Sequence, residues 1–163
     1  MVPAYRAAGY PEYWAWQTNR WVRQTHWDLP PAPKEGAPAL PSLRVHMMRN
    51  ERRGEVVSIA NFSPAAKTAV VSFAGLPGGA MPAYVDVLQA EVVAQFAREW
   101  DADALPAAEK TAGGWRVSLP AGMSRQLWLD FYNPDAPACP SGTHAGEVVV
   151  KVDGGPELRV PLE

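Results

Sequence analysis

Leu127, Leu129 and Phe131 alternate with Trp128, Asp130 and Tyr132, and Val148, Val150 and Val152 alternate with Glu147, Val149 and Lys151. A period of two, carried by aromatic and β-branched residues, predicts two strands with one face in a core. Between them, Asn133 to Gly142 holds three prolines, an Asp and a Gly, so this segment is a loop. Two core strands joined by a rigid loop make the centre of a β-sandwich.

The same pattern recurs on both sides. Leu43, Val45 and Met47 alternate. Val57 and Ile59 share one face of Glu55–Asn61, and Ala69, Val71 and Phe73 share one face of Lys67–Phe73. The turn Asn61-Phe62-Ser63-Pro64 joins the last two runs and predicts that they pair antiparallel. Trp115–Leu119 follows the Gly113-Gly114 turn as a short strand. Asp153-Gly154 is a hairpin signal that leads into a final edge strand carrying Leu158, Val160 and Leu162. Tyr84–Trp100 fits two periods. Val85, Leu88, Val92 and Phe96 have helical spacing, whereas Leu88, Ala90, Val92, Ala94 and Phe96 have strand spacing.

Residues 1–29 have a different character. They hold four of the seven tryptophans, Trp14, Trp16, Trp21 and Trp27, together with Tyr5, Tyr10 and Tyr13. Pro11-Glu12 suits a helix start, and Tyr13, Trp14, Gln17, Trp21 and Gln24 continue at helical spacing. Trp14 and Trp16 also fit alternate positions of a strand, though helix is the first expectation. Pro30–Pro41, with five prolines and one glycine, predicts an extended linker. The chain therefore divides into a Trp-rich N-terminal extension with its linker (1–41) and a β-sandwich domain (42–163). The expected class is all-β: an immunoglobulin-like antiparallel sandwich of about seven to nine strands.

Composition narrows the partners. A net charge of −2 without a long run of one sign argues against nucleic acid, which calls for a basic stripe. No apolar run is long enough for a transmembrane helix, and the first residues lack the apolar core of a signal peptide, so neither a membrane span nor a leader is expected. The single cysteine, Cys139, has no base beside it in sequence and reads as an incidental thiol.

Candidate chemistry is sparse. His26, His46 and His144 lack metal-ligand spacing. Asp130, Asn133 and Asp135 offer oxygen ligands for Ca²⁺, but Asn-Pro-Asp is first a turn former, so no metal and no cofactor are expected. Asp101 and Asp103 are close in sequence, yet glycosidic hydrolysis needs two carboxyls across a cleft, and a solvated turn is the plainer expectation. The tryptophans remain. Indole faces stack on sugar rings and also anchor protein interfaces. Tyr13, Trp14, Trp16, Trp21 and Trp27 are accordingly the candidates for binding glycan or a partner, against the plainer expectation that they strap the sandwich as buried packing.

Several stretches resemble the sandwich domain that precedes the catalytic barrel in glycoside hydrolase family 123-like proteins. They are Arg49-Asn50-Glu51, Glu55–Asn61, Val70–Leu76, Asp101–Leu105, Pro120-Ala-Gly-Met-Ser-Arg-Gln-Leu-Trp128 and Pro137–Val150. The resemblance covers residues 43–163. Two features depart from it: Cys139-Pro140-Ser141 lengthens a loop, and His144 stands where an aromatic is usual. The resemblance implies strand for Tyr84–Phe96 and an extracytoplasmic setting. It also implies catalytic acids in a barrel of about 250 residues, for which this chain has no room. The expected function is thus a non-catalytic accessory module of a carbohydrate-active protein, packing against or orienting a catalytic domain or partner chain. A carbohydrate-binding module with exposed Trp rings is one alternative, and a structural interaction domain, including a homo-oligomer, is another.

Overall fold

The computed structural model describes residues 2–17, 19–22, 24–31, 39–94, 100–134 and 139–163; for residues 94 and 100–103 it describes the backbone. Most of the expected linker, the part of the Tyr84–Trp100 run between 95 and 99, and Asp135 lie outside the described residues. A short helix, α1 (Val2–Ala7), comes first. The strands are β1 (Tyr13–Trp16), β2 (Arg52–Asn61), β3 (Lys67–Ala74), β4 (Val85–Gln89), β5 (Glu91–Ala94), β6 (Trp100–Ala104), β7 (Glu109–Thr111), β8 (Gly114–Leu119), β9 (Ser124–Tyr132), β10 (Gly146–Val152) and β11 (Glu157–Leu162).

Two antiparallel sheets carry the fold, one ordered β1-β2-β9-β4 and the other β11-β10-β3-β8-β7, with β5 and β6 as a separate hairpin. The two strands with the clearest period-two pattern are interior to their sheets. β9 lies between β2 and β4, and β10 lies between β11 and β3. Their inward residues, Leu127, Leu129, Val148 and Val150, are fully buried, and they meet Ile59, Val71, Phe73 and Trp115 between the sheets. The architecture is an all-β sandwich with immunoglobulin-like sheet-to-sheet connections.

Three expectations are corrected. β2 and β3 do not pair: β2 bonds to β1 and β9, and β3 to β8 and β10. The Asn61–Pro64 turn is an arch between sheets. Asn61 shapes it by accepting from Ser63 N and donating from Nδ2 to the carbonyls of Ala65, Leu119 and Pro120. The helix expected from Pro11 is strand β1, in register with β2 from Tyr13↔Asn61 to Trp16↔Ser58. Pairing with a long partner strand outweighs helical spacing in so short a run. Asp101 and Asp103, expected in a solvated turn, lie in β6, where Asp101 opposes Val93.

The sheet edges are largely covered, which keeps their free backbone groups from pairing with another chain. The Leu43–Val45 segment runs parallel to β11 and bonds to Pro161 and Glu163. Pro106–Ala108 bonds to β4, and the chain then passes into β7 of the other sheet. On the opposite side β1 borders β11.

The outer face of the first sheet is also covered. β2 is buried continuously from Val56 to Asn61, against the alternation expected of a strand with one wet face. Residues upstream of β2 lie over it. Tyr5, Tyr10, Trp16, Ala60 and Phe62 form a second apolar cluster, with Tyr5 stacked on Phe62 at 4.8 Å between centroids. Gln24 caps the polar position by accepting from Ser58 Oγ at 2.8 Å.

Candidate functional site

The five aromatic candidates separate into two groups. Tyr13 is fully buried and faces the core between the sheets, with Ala15 beside it. Trp14 and Trp16 alternate to the other face and pack into the second cluster, and their indole nitrogens are sealed from the surface. Tyr13 and Trp16 are closed to a ligand and Trp14 is half-buried, so none of the three presents an open face. Trp21 and Trp27 do, with 81% and 48% of their surface exposed. The structure therefore does not bring the candidates together as one platform.

Trp21 is held out by its neighbours. Asn19 Oδ1 accepts from Trp21 N at 2.9 Å, and the Asn19 carbonyl accepts from Val22 N at 2.9 Å, an Asx-type turn that lifts the indole off the sheet. Arg20 ties this turn to β2 by donating to the Gly54 carbonyl. Gly54 has a packing reason to be glycine, because a Cβ there would stand 3.2 Å from the Trp128 ring. The Arg20 guanidinium carbon also lies 5.8 Å from the centroid of the Trp21 ring, a cation–π contact that steadies the indole.

Gln17, Asn19, Arg20, Trp21 and Glu55 enclose a cleft of about 410 Å³. Glu55 is its carboxylate. Oε1 accepts from Gln17 Nε2 at 3.1 Å and from Val56 N at 2.9 Å, and Oε2 lies 3.8 Å from Arg20. With both oxygens engaged, this group orients its neighbours and is poorly placed to shuttle protons. The cleft thus combines one exposed indole face with amide, guanidinium and carboxylate groups already fixed by one another. Stacking on the ring plus hydrogen bonds at its rim suits a polyhydroxylated ring. Sequence reasoning named Trp21 but missed Gln17, Asn19, Arg20 and Glu55. Glu55 comes from β2, far along the chain, and no local period connects it to Trp21.

A second carboxylate arrangement escaped the sequence as well. Asp86 and Asp130 face each other across β4 and β9. Burial and the nearby Asp86 charge push Asp130 upward, and Arg52, 3.3 Å away, partly offsets them. Lys110 holds Asp86 at 2.7 Å. Each acid carries its own cation on a strand face outside the Trp21 cleft, an arrangement of structural ion pairs. Asp130, considered as a calcium ligand, is paired with Arg52, while Asn133 Oδ1 accepts from Cys139 N.

Trp27 lies at the other end of the covered face. Its ring centroid is 3.6 Å from that of His26, and the His26 carbonyl accepts from Ser124 N. Ser124 pairs with Ala60, five residues along β2 from Glu55, so about 16 Å separates the two exposed indoles' anchoring points.

No family model and no curated protein matches this sequence. Solved structures do resemble it. A family 123 glycoside hydrolase from Clostridium perfringens, described for glycolipid glycan hydrolysis, superposes on 76% of this chain with a TM-score of 0.56 at 6% identity. The match takes in 22% of that protein, so this chain spans about a fifth of its length. Looser superpositions are a chain of the chaperone–tip adhesion subunit complex of Acinetobacter baumannii Csu pili and the PapD-like domain 7 of human CEP192. The first covers 75% of this chain and 51% of its own at 14% identity and TM-score 0.37; the second covers 75% and 74% at 12% and 0.34. The likeness to the Clostridium protein is one of fold.

Proposed function

We propose that this chain is a non-catalytic accessory β-sandwich module of a carbohydrate-active protein, and that it meets glycan at the Trp21 cleft. The observation that carries this reading is the pairing of a ring 81% exposed with a rim of fixed polar groups. An indole left in water offers a flat apolar face on which a sugar ring can stack. The fold likeness to a fifth of a glycoside hydrolase supports an accessory role. Glu55 is the one carboxylate among the described residues of the cleft, and hydrolysis of a glycosidic bond requires two.

The experiment is affinity electrophoresis of the intact chain through gels containing different soluble polysaccharides, with an aryl-glycoside hydrolysis assay beside it. Retardation by at least one polysaccharide without hydrolysis is expected. Free migration through every gel, or turnover of a glycoside, contradicts the reading.

A docking surface for the catalytic partner has its own observation. Val22 and Trp27, 54% and 48% exposed, lie on the same covering segment. Aromatic rings on a rigid support are the usual anchors of interfaces. In this reading Trp27→Ala weakens association with the partner domain and leaves polysaccharide retardation intact.

A further inference from the structure

Away from the Trp21 cleft, at the end of the sandwich where β9 runs out, the chain encloses a second and larger cavity of about 500 Å³. Its floor is apolar. Tyr84, Phe131 and Leu162 reach it from the core, all less than a tenth exposed, and half-buried Val45, Met47 and Leu76 continue it. Its rim is polar, with Arg49, His46, His144 and Glu163 around it.

The polar groups near the floor are already committed. Tyr84 donates to the Pro77 carbonyl at 2.9 Å; burial, with Cys139 beside it, pushes the phenol's pKa upward and keeps it neutral. His144 donates from Nε2 to the Pro140 carbonyl at 2.8 Å, which fixes its ring. Arg49, exposed at the rim, makes no ion pair with another described residue.

We propose that this cavity binds an apolar carboxylate: a small molecule whose hydrocarbon body lies on Tyr84, Phe131 and Leu162 and whose anionic head meets Arg49. The size falls within the range of small-molecule sites, and apolar walls with few convergent polar groups are their usual make-up. A guanidinium grips a carboxylate with two parallel hydrogen bonds, stronger than neutral ones. A cationic head would instead meet the like charge of Arg49.

The cavity contains its own reporter. Cys139 is the single cysteine of the chain and lines the wall. The test follows alkylation of Cys139 by N-ethylmaleimide in the intact chain, with decanoate or decyltrimethylammonium added below micelle-forming concentrations. Decanoate slows alkylation and decyltrimethylammonium does not. Arg49→Ala raises the decanoate concentration for half-protection by roughly tenfold or more, the worth of a charge-assisted hydrogen bond. Calorimetric titration of decanoate into Cys139→Ser chain gives the same affinity without the thiol. Overturning results are no decanoate binding by either readout, equal protection by both amphiphiles, or an Arg49→Ala chain that melts normally and binds decanoate unchanged.

Discussion

Asn61 Nδ2 donates to the carbonyl oxygen of Leu119, 3.1 Å away, so a side chain at the end of β2 is bonded to the end of β8 in the opposite sheet. The same amide serves the carbonyls of Ala65 and Pro120 at 2.9 and 3.1 Å, three acceptors sharing two protons. Asn61 is itself fully buried. Replacing it by Ala leaves several carbonyls and the Ser63 N–H without a partner in a site closed to water. Asn61→Ala should cost roughly 2–4 kcal/mol in urea denaturation. A loss under about 0.5 kcal/mol, typical of surface positions, would remove Asn61 from this role.

The edge contact between β1 and the β10–β11 turn rests on Gly155. A Cβ added there would stand 2.5 Å from the ring of Tyr13, which is fully buried and has no room to retreat. Gly155→Ala should destabilise by about 1–3 kcal/mol through overpacking. Gly154→Ala tests the distinction. Its Cβ meets open space, so its cost comes from a φ of 69°, and about 1 kcal/mol is expected. Equal tolerance of alanine at both positions in thermal melts would show that β1 is not held against the turn.

Stability should fall at both ends of the pH range, through different residues. Burial and the Arg125 charge hold His26 below its ordinary 6.5. The fold thus favours neutral imidazole, and the stability His26 contributes is present above pH 6.5 and lost as pH falls through that value towards its folded pKa. Burial pushes Tyr5 and Tyr10 above 10.0, with Tyr5 also raising Tyr10. Their contribution is complete below pH 10.0 and is lost as pH rises through their folded values. Melting temperatures across this range should trace a plateau with two falling arms. His26→Gln should flatten the arm just below pH 6.5. An unchanged acid arm in that variant would assign it to other groups.

Leu129 tests the core. It is fully buried at the centre of the first sheet, between Glu55 on β2 and Val87 on β4. Leu129→Ala should cost roughly 2–5 kcal/mol by lost burial and a cavity. A cost near zero in the same denaturation assay would contradict the packed interface between sheets.

Much of this fold was legible because strands announce themselves by local alternation. The inward residues of β9, β10 and β11 were readable one by one, and Asp153-Gly154 marked the last hairpin. Pairing was less legible. Asn61-Phe62-Ser63-Pro64 declares a turn, but whether a turn returns to its own sheet or crosses to the other depends on where Asn61 finds carbonyls, and two of those lie 58 and 59 residues away. Helical spacing misled at Tyr13–Trp16 because the segment is short and β2 offers it a ladder. The Trp21 cleft was half visible. An exposed tryptophan can be suspected from a polar neighbourhood, whereas the meeting of Arg20 with Gly54 and of Gln17 with Glu55 is a product of tertiary structure.

The central claim is that Trp21 binds glycan, and one substitution examines it directly. Trp21 stands in solvent, so Trp21→Ala removes the stacking face with little loss of packing. Calorimetric titration with the polysaccharide that retards the intact chain should show at least tenfold weaker binding for the variant, equivalent to about 1.4 kcal/mol, with an unchanged melting temperature. Unaltered affinity in a Trp21→Ala chain that melts like the parent would contradict the account.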